Sequence, residues 1–294
     1  MALFESRGGS SAQLLDAELS GLDQLEMALP PRPSRLARVW AATWPKLTAV
    51  ALALIIWQLV VWSGWKPEYA LPGPRKVWDA FFENFDNNMS AAGTTLWRGV
   101  RGFLFALVIG TTIGALVARV RVLRAAFGSM ITGLQTMPSV AWFPLAILLF
   151  RLDEGAIFFV VVLGAAPSIA NGLISGIDHI PPILLRSGRV LGARGLTAFR
   201  LIILPAALPS FVAGLKQGWA FAWRSLLAGE LIVTIAGKYS LGQQLDANRQ
   251  LADSAGVIAV MIVILVIGIM IDSLLFGTAE RTIRRRYGLV DTAT

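Results

Sequence analysis

Long apolar blocks dominate this chain and leave lipid as the only solvent that suits it. Residues 47–63, 96–118, 126–150, 156–177, 204–233 and 255–276 each read as a span, because a bilayer core takes roughly 20 residues of helix. Apolar residues scattered at a helical period would mark a soluble domain; blocks of this length do not. The chain is 55% hydrophobic and 15% charged, with mean hydropathy +0.65, more apolar surface than a soluble interior can hide. The expected fold is therefore an all-α integral membrane protein with about six transmembrane helices.

The same composition excludes several chemistries. There is no cysteine, so neither disulfides nor thiolate metal sites are available. The single histidine, His179, cannot build a metal cluster, and no metal site is expected. The net charge of +8 lies mainly between the apolar blocks, so it reads as membrane orientation rather than nucleic-acid binding. The larger basic set (Arg32, Arg35, Arg38, Lys46, Arg119, Arg121, Arg124, Arg186, Arg189, Arg194, Arg200 and the C-terminal arginines) places both termini in the cytoplasm. The start is not secretory, since its first apolar block begins only near Leu47.

Three regions follow: a cytoplasmic tail over 1–46, a membrane domain over 47–277 and a basic tail over 278–294. In the first, Ser10 and Ser11 can cap a short helix with Leu15, Leu19, Leu22 and Leu29 on one face, ended by Pro30-Pro31. It reads either as a disordered tail or as a docking helix. The third block contains Pro138 and Pro144, which break its helix and mark it as lining a cavity rather than facing lipid. The pairs Gly110/Gly114, Gly172/Gly176 and Gly214/Gly218 have the spacing of close helix approach.

Residues 181–209 are too polar to span and too patterned for a linker. Ile183–Leu191 and Leu196–Ile203 read as two short helices, joined at Gly192, which tolerates a positive φ. Leu204-Pro205 then opens the next span. Two short helices at a sharp angle, with an aromatic at the bend, make a knob that can enter a groove on another protein and pass on a rigid-body motion.

At these residues the chain resembles the permeases of binding-protein-dependent ABC importers. Gly192, nine residues, Ile202, one residue and Leu204-Pro205 reproduce the second half of their cytoplasmic-loop signature. Leu71-Pro72-Gly73-Pro74, residues 135–144, 204–209 and 222–231, and Leu241-Gly242 resemble the aliphatic sulfonate, taurine, nitrate and bicarbonate branch. The resemblance covers most of 68–287 and implies a MetI-like, type I architecture in a bacterial inner membrane. It implies a second permease copy, two cytoplasmic ATPase subunits that carry the ATP and Mg, and an extracytoplasmic solute-binding protein. This chain would bind no cofactor and carry no catalytic residue. The coupling residues would be Arg186, Ser187, Gly188, Gly192, Ala193, Leu196, Phe199, Arg200, Leu204 and Pro205. One departure stands out: Arg186-Ser187-Gly188 replaces the family's Glu-Ala-Ala, which weakens the first short helix.

Within the spans, Lys216, Arg224, Glu230 and Asp272 are charged, and such residues pair or face water. Either Arg224 lies beside a path for an anion, or Arg224 or Lys216 pairs with Glu230 or Asp272. Gln135, Met137, Pro138, Trp142, Asn171, Arg224 and Glu230 are the path candidates, the alternative for the uncharged ones being packing and kinking. By resemblance the solute is an aliphatic sulfonate or taurine; nitrate, bicarbonate and vitamin precursors use similar permeases. An ion-driven transporter would want clustered carboxylates in two repeated halves, and no repeat is visible. A membrane enzyme would want a nucleophile and base, and no such set stands out. The chain has no phosphate-cradling Gly-rich loop, so its energy comes from a partner.

Overall fold

The computed structural model describes residues 34–287, and every regular element in that range is a helix. The expected N-terminal helix capped at Ser10 or Ser11 lies outside the described residues. The chain divides into two units after Val60. The first is represented by α1 (Arg35–Trp62), which starts well before Leu47 and carries Pro45 within it. Its Thr43–Trp62 stretch is long and apolar enough to cross a membrane.

The second unit runs α2 (Pro74–Glu83), α3 (Phe85–Arg119), α4 (Arg121–Thr136), a 3-10 turn over Ser139–Trp142, then α5 (Phe143–Phe150) and α6 (Glu154–Asp178). It continues with α7 (Pro182–Val190), α8 (Gly195–Ala198), α9 (Leu204–Ile232), α10 (Leu241–Gln250), α11 (Ser254–Met270) and α12 (Gly277–Arg286). Among the described residues, 5 helices can cross a membrane, or 6 when the bent pair α4 and α5 counts as one span.

Helix α6 forms the centre, with 56% of its apolar window buried against 28% for α3. The reason is written in small residues. On α3 the buried stripe Ala91, Thr95, Gly99, Gly102, Ala106, Gly110, Gly114, Val117 recurs every three or four positions, so it forms one face. A Cβ at Gly110 would lie 2.7 Å from the Ala166 carbonyl oxygen of α6. On the other side of α6, a Cβ at Gly172 would lie 2.6 Å from Gly214 Cα of α9, and one at Gly176 would lie 2.7 Å from the Ala207 carbonyl oxygen. All three Gly-x-x-x-Gly pairs therefore stand at seams with α6 or α9. In lipid, where burying apolar surface gains nothing, backbone contact of this kind supplies the packing energy.

The third apolar block is broken only once. Helices α4 and α5 meet at 104°, with Met137-Pro138 between them. Pro144 breaks nothing: it sits in the first turn of α5, where its missing N–H would have had no helical partner. Across the break, Gln135 Nε2 donates to the Pro167 carbonyl of α6 at 3.2 Å.

The knob also differs from the expected shape. Helix α7 forms despite its weak Arg-Ser-Gly stretch, and Gly192 (φ +81) and Gly195 (φ +52) make the turn after it. The second short helix is not separate. Gly195–Ala198 passes through a π-helical turn, Phe199–Ile203, into α9, giving one continuous helix over Gly195–Ile232. Leu204-Pro205 is thus inside a helix rather than at a junction, and the wide turn before Pro205 accommodates its ring and missing N–H. The bend falls at residues 191–194, and Phe199 lies beyond it.

Candidate functional site

The break between α4 and α5 opens a cleft. Gln135, Met137, Pro138 and Trp142 form one wall, Leu163 and Gly164 of α6 a second, and Phe221 and Arg224 of α9 a third, around ≈ 330 Å³. Gly164 stands ten residues into α6, about 15 Å from its start at 1.5 Å per residue. The cleft is therefore deep in the membrane. On its α6 wall residue 167 is proline, so the Leu163 carbonyl receives no helical N–H.

Arg224 is the one cation lining this cleft among the described residues. Its guanidinium lies over the Phe221 ring at 5.5 Å. Among the described residues no carboxylate comes within ion-pair distance of it. The residue also borders an apolar groove of ≈ 870 Å³ between α9 and α11, with Leu227, Met261, Leu265 and Asp272. Five of the seven path candidates, Gln135, Met137, Pro138, Trp142 and Arg224, line the cleft together. Asn171 does not; it lies two turns beyond Gly164 on the same face of α6.

Glu230 is elsewhere, in a buried charge cluster that the sequence did not reveal. Its carboxylate takes Arg98 Nη1 at 3.2 Å, the Thr95 hydroxyl at 2.9 Å and the Gly242 backbone N–H at 3.2 Å. Thr95 in turn accepts the Leu241 N–H at 2.9 Å. Arg98, only 1% exposed, reaches on through Nε to Glu154 at 3.3 Å, and Lys238 closes on Glu154 at 2.8 Å. One end of α3, α6 and α9 is thereby tied to the start of α10. No carboxylate on the described α9 pairs with Arg224; Lys216 pairs with Asp272 at 3.3 Å. Pairing thus accounts for Lys216 and leaves Arg224 free of it.

The opposite end carries the knob. An Arg124–Asp178 ion pair joins α4 to the end of α6 just before it. Arg186, Ser187, Leu196, Phe199, Arg200 and Leu204 are exposed there, with Ala193 and Pro205 half-buried. Val190, Leu191 and Leu196 expose 80% or more of their surface. Arg186, Arg189, Arg194 and Arg200 have no acidic partner among the described residues. Gly188 is buried, and the Ile202 side chain occupies the place that a Cβ there would take. This explains glycine where the signature has alanine: it lets Ile202 seat against α7.

Close-packed spans, a broken helix beside a mid-depth cleft and a patterned knob at one end define a multi-pass helical permease. The family model for the inner membrane component of binding-protein-dependent transport systems matches residues 106–284. The chain belongs to that family and is an ABC importer permease component. The aliphatic sulfonates transport permease protein SsuC of Escherichia coli is 29% identical over 225 residues, covering 74% of this chain and 82% of its own length. The nitrate import permease protein NrtB of Synechococcus elongatus is 28% identical over 244 residues, covering 78% of this chain and 86% of its own. The fold is similar to that of the MetNI methionine ABC transporter in its inward-facing conformation, with TM-score 0.57 and 19% identity, over 68% of this chain and 98% of that one.

Proposed function

We propose that this permease carries a small solute bearing a sulfonate group, an aliphatic sulfonate or zwitterionic taurine, through the cleft at Arg224. The observation that supports this is a guanidinium at membrane depth with no carboxylate among the described residues to neutralise it. A cation in that position attracts an anion and repels a cation. The rest of the wall, Met137, Trp142, Leu163 and Phe221, suits a carbon chain, and ≈ 330 Å³ exceeds what nitrate needs. Both features favour a sulfonate over nitrate or bicarbonate.

The cytoplasmic face is the knob face, by the basic residues, so both termini are cytoplasmic. Two copies of the chain form the path, and an extracytoplasmic binding protein delivers the solute. Two cytoplasmic ATPase subunits hold ATP and Mg. The coupling surface runs from Arg186 through Gly192, Ala193, Leu196, Phe199 and Arg200 to Pro205. Its exposed leucines and four unpaired arginines fit a groove that is apolar at its floor and acidic at its rim. Closure of the ATPases on ATP moves the knob. Because α8 runs unbroken into α9, that displacement reaches Arg224 through one continuous helix.

The test is ATP-driven uptake of labelled taurine and nitrate by the complex in proteoliposomes. Taurine uptake is expected, falling about tenfold or more in Arg224→Gln, the size of one lost charged hydrogen bond. Equal taurine uptake and unchanged selectivity in Arg224→Gln would sink the anion reading. Loss of the ATPase subunit from a Phe199→Asp chain on purification places the coupling surface; retention removes Phe199 from it.

A further inference from the structure

A second basic site lies at the Glu154 end of the bundle, about 9 Å along α9 from Arg224 to Glu230 at 1.5 Å per residue. Arg98, Arg101 and Lys238 border a cleft of ≈ 640 Å³ that also includes Ser90, Trp97 and Tyr239. Three cations face two carboxylates, Glu154 and Glu230, leaving one positive charge. Both carboxylates are already engaged: Glu230 as described, Glu154 by Arg98, by Lys238 at 2.8 Å and by Arg101 at 3.6 Å.

Two guanidinium nitrogens nevertheless remain without an acceptor. Arg98 Nη2 and Arg101 Nε are buried and have no hydrogen-bond partner among the described residues. They come from residues three apart on α3, which share a face. Guanidinium donors in a buried setting are strongly destabilising when unmade. The Arg101 side chain is also held in place, its guanidinium 5.4 Å from the Trp97 ring and 5.5 Å from that of Phe158. Arg101, held and part-exposed, lines the cleft beside the buried Arg98, and an arginine in such a position takes planar or tetrahedral oxyanions.

We propose that this cleft is an outer anion site, which takes the oxyanion of the solute before it reaches Arg224. The inference rests on the orientation and the importer reading above. Its ligand class is a small soluble oxyanion, sulfonate or carboxylate, seated between Arg98, Arg101 and Lys238. An entry site of this kind concentrates the solute at the mouth of the path.

The chain has no cysteine, so Ser90→Cys in the full-length protein supplies a single thiol on the wall of this cleft. Intact cells carrying it are treated with two membrane-impermeant methanethiosulfonates, one bearing a sulfonate and one bearing a neutral sugar. The sulfonate reagent is expected to react about tenfold faster than the neutral one, and sodium methanesulfonate is expected to slow it. Arg101→Gln or Lys238→Gln in the same background should bring the ratio towards one. If Ser90→Cys fails to fold, Gly93→Cys serves, since a Cβ there meets nothing within 4 Å. A ratio near one in the parent overturns the site. A high ratio that both substitutions leave unchanged also overturns it, assigning the effect to the field of the whole face. Reaction only in inverted vesicles overturns the orientation and the outer placement with it. ATP-driven uptake is measured separately, so its failure with a normal labelling ratio would sink the importer reading alone.

Discussion

Arg98 and Arg224 are both arginines in long membrane helices, and the protein treats them in opposite ways. Arg98 is 1% exposed and answers two carboxylates on two other helices. Arg224 is exposed to a cleft, rests on Phe221 and answers none among the described residues. A buried guanidinium without a partner is too costly to keep, so Arg98 is fixed by structure. An unmatched one survives only beside water or a ligand, and Arg224 stands open to the cleft. The contrast separates a charge that holds the fold from a charge proposed to serve the path. It also shows why charge and membrane depth alone do not tell the two apart.

The largest effect should come from breaking the first kind. Glu230→Ala leaves Arg98 buried with only Glu154, and also frees Thr95 and the Gly242 N–H. A loss of about 3–5 kcal/mol is expected, seen as a much lower Tm for the purified chain in detergent. A loss below 1 kcal/mol would make Arg98 and Arg224 alike. The double change Arg98→Met with Glu230→Leu removes both charges together. It should recover about 2 kcal/mol or more of that loss, and the cycle of single and double variants measures the coupling directly. Strict additivity would deny the pair any mutual stabilisation.

Arg98 shows where a sequence stops being legible. The apolar blocks gave the spans, because hydropathy is local. Pro138 announced the break and Gly192 the left-handed turn, because proline and glycine act on their own backbone. The spacing of Gly110/Gly114 and Gly172/Gly176 announced close seams. It did not say that both pack on opposite sides of one arrangement centred on α6. Glu230 read as a path residue or as a partner of Arg224 or Lys216, because only the folded chain brings it to Arg98, 132 positions away. The continuity of α8 into α9 was hidden too: Leu204-Pro205 looks like a helix start, and only the π-helical turn before it makes proline tolerable inside.

Arg224→Gln probes the other side of the contrast. With no ion pair to lose, its stability should stay within about 0.5 kcal/mol of the parent, while uptake falls as described above. Stability and transport would then separate cleanly, Glu230→Ala moving the first and Arg224→Gln the second. A Tm drop comparable to that of Glu230→Ala would show that Arg224 holds the fold after all.

Lys216 and Asp272 test whether two classes are enough. They pair at 3.3 Å between α9 and the segment after α11, with side chains 39% and 50% exposed. Half-exposed pairs pay side-chain entropy to hold one geometry, so Lys216→Met should cost about 0–1 kcal/mol, the smallest stability effect that still has a partner to lose. That alone would place the pair near Arg98 in kind but far below it in strength. Asp272 has a second property, because it borders the same apolar groove as Arg224. Asp272→Asn removes a negative charge from beside the path and leaves Lys216 unmatched, as Arg224 already is. If the pair is only structural, anion uptake should be unchanged. If uptake rises, Asp272 has been tempering the field at Arg224, and the pair belongs to the path as well as to the fold.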